Sequence, residues 1–173
     1  TEAVKWYLES KAIQEKALGK EHPDYAKSLN ELALLYFDMG QYEKAEPLYL
    51  ESKTIQEKAL GKEHPDYASS LNNLATLYDI MGQYEKAEPL YLESKDIREK
   101  ALGKEHPDYG GSMGDLGNLY SDMGKYEKAE PYYLESKAIR EKAQGKEHPD
   151  YAICLNNLAI LYFDMGIYEK AEP

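Results

Sequence analysis

The chain contains 173 residues, of which 42% are hydrophobic and 31% charged, and it carries a formal net charge of -11. The acidic surplus is distributed along the chain without a cluster of Lys and Arg. This argues against a nucleic-acid partner, because binding phosphates requires grouped cations. No apolar run approaches the ~18 residues of a membrane span, so we expect no membrane partner. The single cysteine, Cys154, favours a reducing compartment, and we expect a cytoplasmic location.

The sequence repeats with a period of 42 residues, which is typical of stacked arrays in which each unit contacts only its neighbours. The period predicts one array with a partial repeat at 1–21, complete repeats at 22–63, 64–105 and 106–147, and a partial repeat at 148–173. Function is therefore expected on a surface rather than in one catalytic pocket.

Helices of two types alternate along the chain in the predicted order. A first helix of type B runs from about Ala3 to Leu18, and three A-B pairs follow. A fourth A helix then extends from Pro149 to Met165, and residues 168–173 begin another B helix.

The second complete repeat shows why these segments are expected to be helical. Its A helix has apolar residues at spacings of three and four, which lie on one face. Pro65 suits the first helical turn, where its missing N-H group is not needed, and Gly82 suits the left-handed residue that ends a helix. The B helix keeps the same spacing up to Gly103, and we expect it to continue through Pro89 with a tolerated kink.

The tripeptide His-Pro-Asp stands before every A helix, at His22, His64, His106 and His148. J-domain co-chaperones use the same three residues in a functional loop, but one copy in every repeat is the pattern of a structural connector. No two histidines have the i, i+4 spacing of a helical zinc site, and no nucleophile elbow, phosphate loop or cysteine cluster occurs. We therefore predict no catalytic residues, no metal and no cofactor.

The spacing of large and small residues resembles the tetratricopeptide repeat, as at Met113, Leu116, Gly117, Tyr120, Gly124, Tyr126, Ala129 and Tyr133. The segments LGKEHPDYA, LNNLA and YEKAEPLY are most similar to the 42-residue variety of kinesin light chains. This resemblance implies an all-α fold, a right-handed α-solenoid of antiparallel helix pairs (a TPR superhelix), in which the A helices line a concave groove. It also implies that peptides or proteins bind in that groove. The chain departs from the family at Ser52, Ser94 and Ser136, where Ala is more usual.

The A helix of the third complete repeat contains four glycines, Gly110, Gly111, Gly114 and Gly117. Gly117 fits the small packing position of the family, whereas the sequence offers no packing role for the other three. Each Gly costs up to ~1 kcal/mol relative to Ala inside a helix, so we expect this to be the least stable A helix.

The nearly identical copies differ along one stripe of the A helices, which we call the A-helix stripe. Its equivalent positions are Lys27, Ser69, Gly111 and Ile153; Asn30, Asn72, Gly114 and Asn156; Leu34, Thr76, Asn118 and Ile160; Phe37, Asp79, Ser121 and Phe163; and Asp38, Ile80, Asp122 and Asp164. In the family this stripe lines the groove, so we predict that these residues bind a peptide. The alternative is that exposed positions simply vary, but the exposed helix B positions Glu51, Glu93 and Glu135 do not.

The composition of the stripe suggests what it binds. Apolar residues near its two ends predict apolar anchors, and Asn72, Asn118 and Asn156 predict hydrogen bonds to an extended segment. Lys27 is the only basic residue among these positions, so acidic peptides should be disfavoured.

The leading hypothesis is a non-catalytic module or scaffold that binds a protein or peptide partner. The alternative is a structural array that self-associates head to tail through its uncapped ends, without a dedicated groove ligand. An enzyme is the third class, and the absence of a recurring catalytic constellation in the sequence argues against it.

Overall fold

In a computed structural model of the protein, which describes residues 2–171, the chain forms nine α-helices. The helices are α1 (Glu2–Leu18), α2 (Pro23–Asp38), α3 (Tyr42–Leu60), α4 (Pro65–Ile80), α5 (Tyr84–Leu102), α6 (Pro107–Asp122), α7 (Tyr126–Gln144), α8 (Pro149–Asp164) and α9 (Tyr168–Ala171). The A helices are α2, α4, α6 and α8, and the others are of type B. The described range contains no strand, which confirms the predicted all-α fold of consecutive helix pairs.

Each A helix begins with a cap made by the histidine of the His-Pro-Asp tripeptide. The Nδ1 atom of His64 accepts a hydrogen bond from the backbone N-H of Asp66 at 3.1 Å, and Pro65 occupies the first helical position. His22, His106 and His148 make the same contact in their repeats. A side-chain acceptor at this point satisfies one of the unpaired N-H groups of the first helical turn. The tripeptide thus has a local structural role in all four copies.

The A helices end in a glycine of left-handed conformation. Gly40 has φ of 68°, its N-H donates to the carbonyl of Phe37, and the N-H of Gln41 donates to the carbonyl of Tyr36. These two bonds form a Schellman motif, which satisfies carbonyls that the helix end would otherwise leave unpaired. The B helices continue through their internal prolines, as predicted, since α3 runs past Pro47 to Leu60.

The chain divides into two compact units, one ending at Ile97 and the other beginning at Arg98, within α5. In unit 1, α2 packs against α1 and α3, and α3 also packs against α4. Its core contains two equivalent clusters, the first formed by Tyr25, Ala26, Leu29 and Ile55 and the second by Tyr67, Ala68, Leu71 and Ile97. Each cluster therefore joins an A helix to the B helix that follows it.

The serines that replace the usual alanine in helix B are buried and connect each B helix to its A helix. The Ser52 hydroxyl donates to the carbonyl of Ala26 at 2.7 Å, and Ser94 makes the equivalent bond to Ala68 at 2.8 Å. In unit 2, Ser136 donates to the carbonyl of Gly110 at 2.7 Å. Because a buried hydroxyl needs a hydrogen-bond partner, these contacts explain how Ser is accommodated at a position where the resemblance predicts Ala.

In unit 2, α7 packs against α6 and α8, and α8 packs against α9. The expectation that Gly110 has no packing role is wrong, because a Cβ atom there would lie 3.0 Å from Ile139 Cγ2. At Gly117 a Cβ atom would lie 2.6 Å from two ring carbons of Tyr133. These two glycines allow α7 to approach α6 closely. A Cβ atom at Gly114 would lie 3.4 Å from Ser136 Oγ, and one at Gly111 would lie 3.3 Å from Arg140 Nη2.

Candidate peptide-binding faces of the A helices

The A-helix stripe divides into an outer and an inner part. The outer part contains large apolar side chains that are half exposed, such as Leu34 at 50% and Ile80 at 54% in unit 1. In unit 2, Ile153, Ile160 and Phe163 are also exposed. Asp38, Asp122, Asn156 and Asp164 are exposed as well. These side chains are available to a partner.

The inner part of the stripe faces the helices of the same unit. Asn30 Nδ2 donates to Ser70 Oγ at 3.5 Å, which places the Asn30 amide between α2 and α4. Asp79 is buried, and Ser69, Asn72 and Phe37 are partly buried. Within residues 2–171 the buried oxygens Asn30 Oδ1 and Asn72 Oδ1 have no hydrogen-bond partner. The protein itself therefore covers the amide oxygens of these two partly buried asparagines, and their binding role stays a prediction.

In the stripe row that contains Thr76 and Asn118, both of these side chains accept hydrogen bonds from tyrosines of helix B. Tyr91 donates its hydroxyl proton to Thr76 Oγ1 at 3.0 Å, and in unit 2 Tyr133 donates to Asn118 Oδ1 at 2.8 Å. Asn157 Nδ2 donates to the same Asn118 oxygen at 3.1 Å. The Asn118 side chain thus has an internal structural role, and its amide nitrogen is the part that remains for a ligand.

The charges near the stripe are mostly acidic. Lys27, the single basic residue among the predicted positions, lies 3.2 Å from Asp66 Oδ2 and is paired with it. Asp38 in unit 1 and Asp122 and Asp164 in unit 2 are exposed. An acidic peptide would meet these carboxylates without an unpaired cation from the stripe to oppose them.

Unit 2 contains a cavity of about 200 Å³ on the A-helix stripe. It is lined by Gly111, Gly114, Asp115, Asn118, Tyr133, Ser136, Arg140, Asp150, Ile153, Cys154 and Asn157. The predicted residues Gly111, Gly114, Asn118 and Ile153 come together here. The sequence interpretation missed Arg140 and treated Asp150 and Cys154 as structural. The change from Gln14 and Gln56 to Arg98 and Arg140 in helix B was the available signal.

A larger cavity of about 370 Å³ lies in unit 1 beside α3. It is lined by Lys20, Glu21, Leu50, Glu51, Thr54, Ile55 and Lys58. None of these lining residues belongs to the A-helix stripe. Within residues 2–171 no three His, Cys, Asp or Glu side chains are grouped as metal ligands would be, and no helix there is long and apolar enough to cross a membrane.

Comparisons with known proteins agree with the repeat pattern. The profile of the tetratricopeptide repeat family matches residues 1–52, 24–100, 80–142 and 111–173. No curated protein sequence matches the chain.

Similar solved structures include a candidate kinesin light chain from Podosopora anserina with nearly identical TPR-like repeats. One crystal structure of it shares 34% identity over 98% of this chain and 80% of that chain, with a TM-score of 0.81. A second shares 34% identity over 98% of this chain and 81% of that chain, with a TM-score of 0.79. BtubC (BKLC) from P. vanneervenii shares 26% identity over 98% of this chain and 68% of that chain, with a TM-score of 0.84.

Proposed function

Because the chain belongs to the tetratricopeptide repeat family, we propose that it is a non-catalytic interaction module that binds an extended protein segment on its A-helix stripe. Such repeats generally mediate protein-protein interaction or scaffolding. We place the interaction in the cytoplasm, a reducing compartment that suits the buried free thiol of Cys154.

The observation that carries this proposal is the exposure of large apolar side chains at stripe positions where other repeats are polar. Ile80 is half exposed where the equivalent residues are Asp38, Asp122 and Asp164, and Leu34 is half exposed in a row that also contains Thr76. An exposed apolar side chain among polar ones gains free energy when a partner covers it. Selection for a solvated surface alone would favour the polar residue at each of these positions.

The charges of the A-helix stripe limit the kind of partner segment that it can bind. With Lys27 paired and the exposed aspartates unopposed by stripe cations, we propose a segment that is neutral or basic and carries an apolar anchor. Complementary charge increases the rate of association and excludes unsuitable partners. Nucleic acid and membrane surfaces are not proposed as partners.

The proposal can be tested by selecting a peptide from a random phage-displayed library on the chain and measuring its affinity by fluorescence polarisation. We expect Ile80→Asp to weaken binding by about four- to twelvefold, because covering the exposed half of this anchor contributes ~0.8–1.5 kcal/mol. The substitution introduces the residue that three other repeats carry, so the fold should tolerate it.

The matched control is Leu50→Asn, which removes an exposed apolar side chain from helix B of the same unit. We expect it to leave the affinity unchanged. Equal affinities for the Ile80→Asp variant and the parent chain, or selected peptides that are predominantly acidic, would contradict the proposed binding face.

A second candidate function, head-to-tail self-association, is favoured by one comparison between repeats. Ile13 on α1 is 61% exposed, whereas the equivalent Ile55 and Ile97 are 8% and 7% exposed. Leu155 on α8 is 43% exposed, whereas the equivalent Leu29 in a core cluster is fully buried. Since Leu29 and Ile55 belong to one cluster, Leu155 of one molecule and Ile13 of another match the two halves of an A-B interface.

For this second function we expect the mass measured by light scattering to rise with concentration, and Ile13→Asp to abolish that rise. Leu155→Asp should have the same effect because it alters the complementary half. Leu34→Asn changes an exposed stripe residue that is not part of the A-B interface and serves as the control. A monomeric mass at every concentration tested would exclude self-association as the function.

A further inference from the structure

The cavity of unit 2 occupies a place that the protein fills with its own side chain in unit 1. There the Asn30 amide lies against Ser70 Oγ, between α2 and α4. The residues equivalent to Asn30 and Ser70 are Gly114 and Cys154, and both line the cavity. The Asn-to-Gly difference removes a carboxamide from the space between two A helices and leaves room for one from another molecule.

A second difference between repeats keeps this space open. In unit 1, Ser70 donates a hydrogen bond to Gln56 Oε1, so the Gln56 side chain reaches the same hydroxyl. The equivalent residue in unit 2 is Arg140, and its guanidinium donates to Asp150 Oδ2. Cys154 Sγ is instead 3.5 Å from Ser136 Oγ. In unit 1 the Gln56 side chain therefore lies against Ser70. In unit 2 the equivalent Arg140 side chain is held by Asp150 at the side of the cavity.

The lining combines apolar surface with several polar side chains, and its charged groups already have partners. Arg140 forms an ion pair with Asp150, and Asp115 interacts electrostatically with Arg98. A charged ligand group would lose its hydration beside charges that are already compensated. A purely apolar group would leave polar lining atoms without partners, which also costs free energy. A neutral group with both a donor and an acceptor avoids both costs.

We propose that the unit 2 cavity binds a primary carboxamide, the side chain of an Asn or Gln in a partner segment. The carboxamide would occupy the position that Asn30 occupies in unit 1, with its NH₂ group toward Cys154. Its carbonyl can accept from Asn118 Nδ2, since Asn118 Oδ1 is engaged by Tyr133 and Asn157. The inference rests on the proposed function, because it assigns a specificity pocket within the same A-helix stripe.

The pocket can be tested with single capped amino acids, without knowledge of the natural partner. N-acetyl-glutamine methylamide and its Asn analogue should produce saturable NMR shifts of the backbone amides of Gly111 and Gly114 and of the Asn118 side-chain amide. They should also slow the reaction of Cys154 with a thiol reagent. The capped Glu, Lys and Leu analogues should produce neither effect at the same concentration.

Two substitutions of Gly114 separate filling of the cavity from stabilisation of the helix. Gly114→Asn restores the residue of the other repeats, so it should occupy the space and abolish the shifts of Asn118 caused by the glutamine probe. Gly114→Ala adds only a methyl group in ordinary contact with Ser136 and should retain them. Cys154→Ser supplies the hydroxyl that Ser70 provides in unit 1 and should lower the dissociation constant of the probe.

Saturable shifts with the Glu or Lys analogue but not with Gln, or undiminished Asn118 shifts in Gly114→Asn, would overturn the pocket assignment. The absence of any saturable shift up to the solubility limit of the Gln and Asn probes would also overturn it. These results concern the cavity alone. Failure of the proposed function is detected separately, by equal peptide affinities of the Ile80→Asp variant and the parent chain.

Discussion

Leu71→Ala should lower the free energy of unfolding by about 2–5 kcal/mol. Leu71 is fully buried in the cluster with Tyr67, Ala68 and Ile97. Truncation removes apolar surface from the core of unit 1 and leaves a cavity that the surrounding helices fill only in part. Chemical denaturation followed by circular dichroism measures the change.

Leu155→Ala is the matched control, because Leu155 occupies the same position of the repeat and is 43% exposed. We expect this substitution to cost clearly less than Leu71→Ala, since it removes less buried surface. Both variants should be compared at concentrations where light scattering shows a monomer, so that any contact of Leu155 with a second molecule does not contribute. Similar losses for the two variants would contradict the packing described here.

Gly117→Ala should destabilise the protein by about 1–3 kcal/mol, although Ala is the residue of the three other repeats. A Cβ atom at this position would lie 2.6 Å from ring carbons of Tyr133. The ring is buried, and its hydroxyl is bonded to Asn118, so it cannot turn aside without losing that contact. From helix propensity alone the substitution would stabilise α6 by up to ~1 kcal/mol. The sign of the measured change therefore distinguishes the two effects.

Gly114→Ala tests the same helix without the steric conflict. Its new methyl group would meet only Ser136 Oγ, at 3.4 Å, so we expect a stabilisation of up to ~1 kcal/mol. Hydrogen exchange of the α6 amides reports whether each change is local to this helix. A stabilising Gly117→Ala would show that Tyr133 moves away easily and that the close approach of α7 does not depend on this glycine.

The behaviour of the four glycines shows where interpretation of the sequence succeeds and where it fails. The sequence marks them as unusual because the equivalent residues in other repeats have side chains. Their roles differ, however: Gly110 and Gly117 permit a close helix contact, whereas Gly111 and Gly114 line a cavity. Residue type and helical spacing cannot distinguish these roles, since the deciding atoms belong to Ile139, Tyr133 and Arg140 on another helix.

The A-helix stripe was predicted in a similar way, from rows of positions at which the repeats differ. Helical geometry places such rows on one face, but their exposure depends on neighbouring helices. Leu34 and Ile80 are accessible, whereas Asp79 is buried and the Asn30 amide lies against Ser70. The peptide-binding role of the stripe remains a prediction, and the cavity beside Arg140 depends on residues that no single row contains.

The sequence by itself determined the repeat length, the helix pairs and the helix ends. Those features arise from interactions within a few residues, such as the bond from Asp66 N-H to His64 or the left-handed turn at Gly40. The tertiary structure alone decided which side chains are accessible and which spaces between the helices are filled by side chains. Asn30 meets a serine 40 residues away, and Gly114 faces Ser136 on the next helix. Contacts of that kind depend on how closely the helices pack, which the local pattern of residues does not specify.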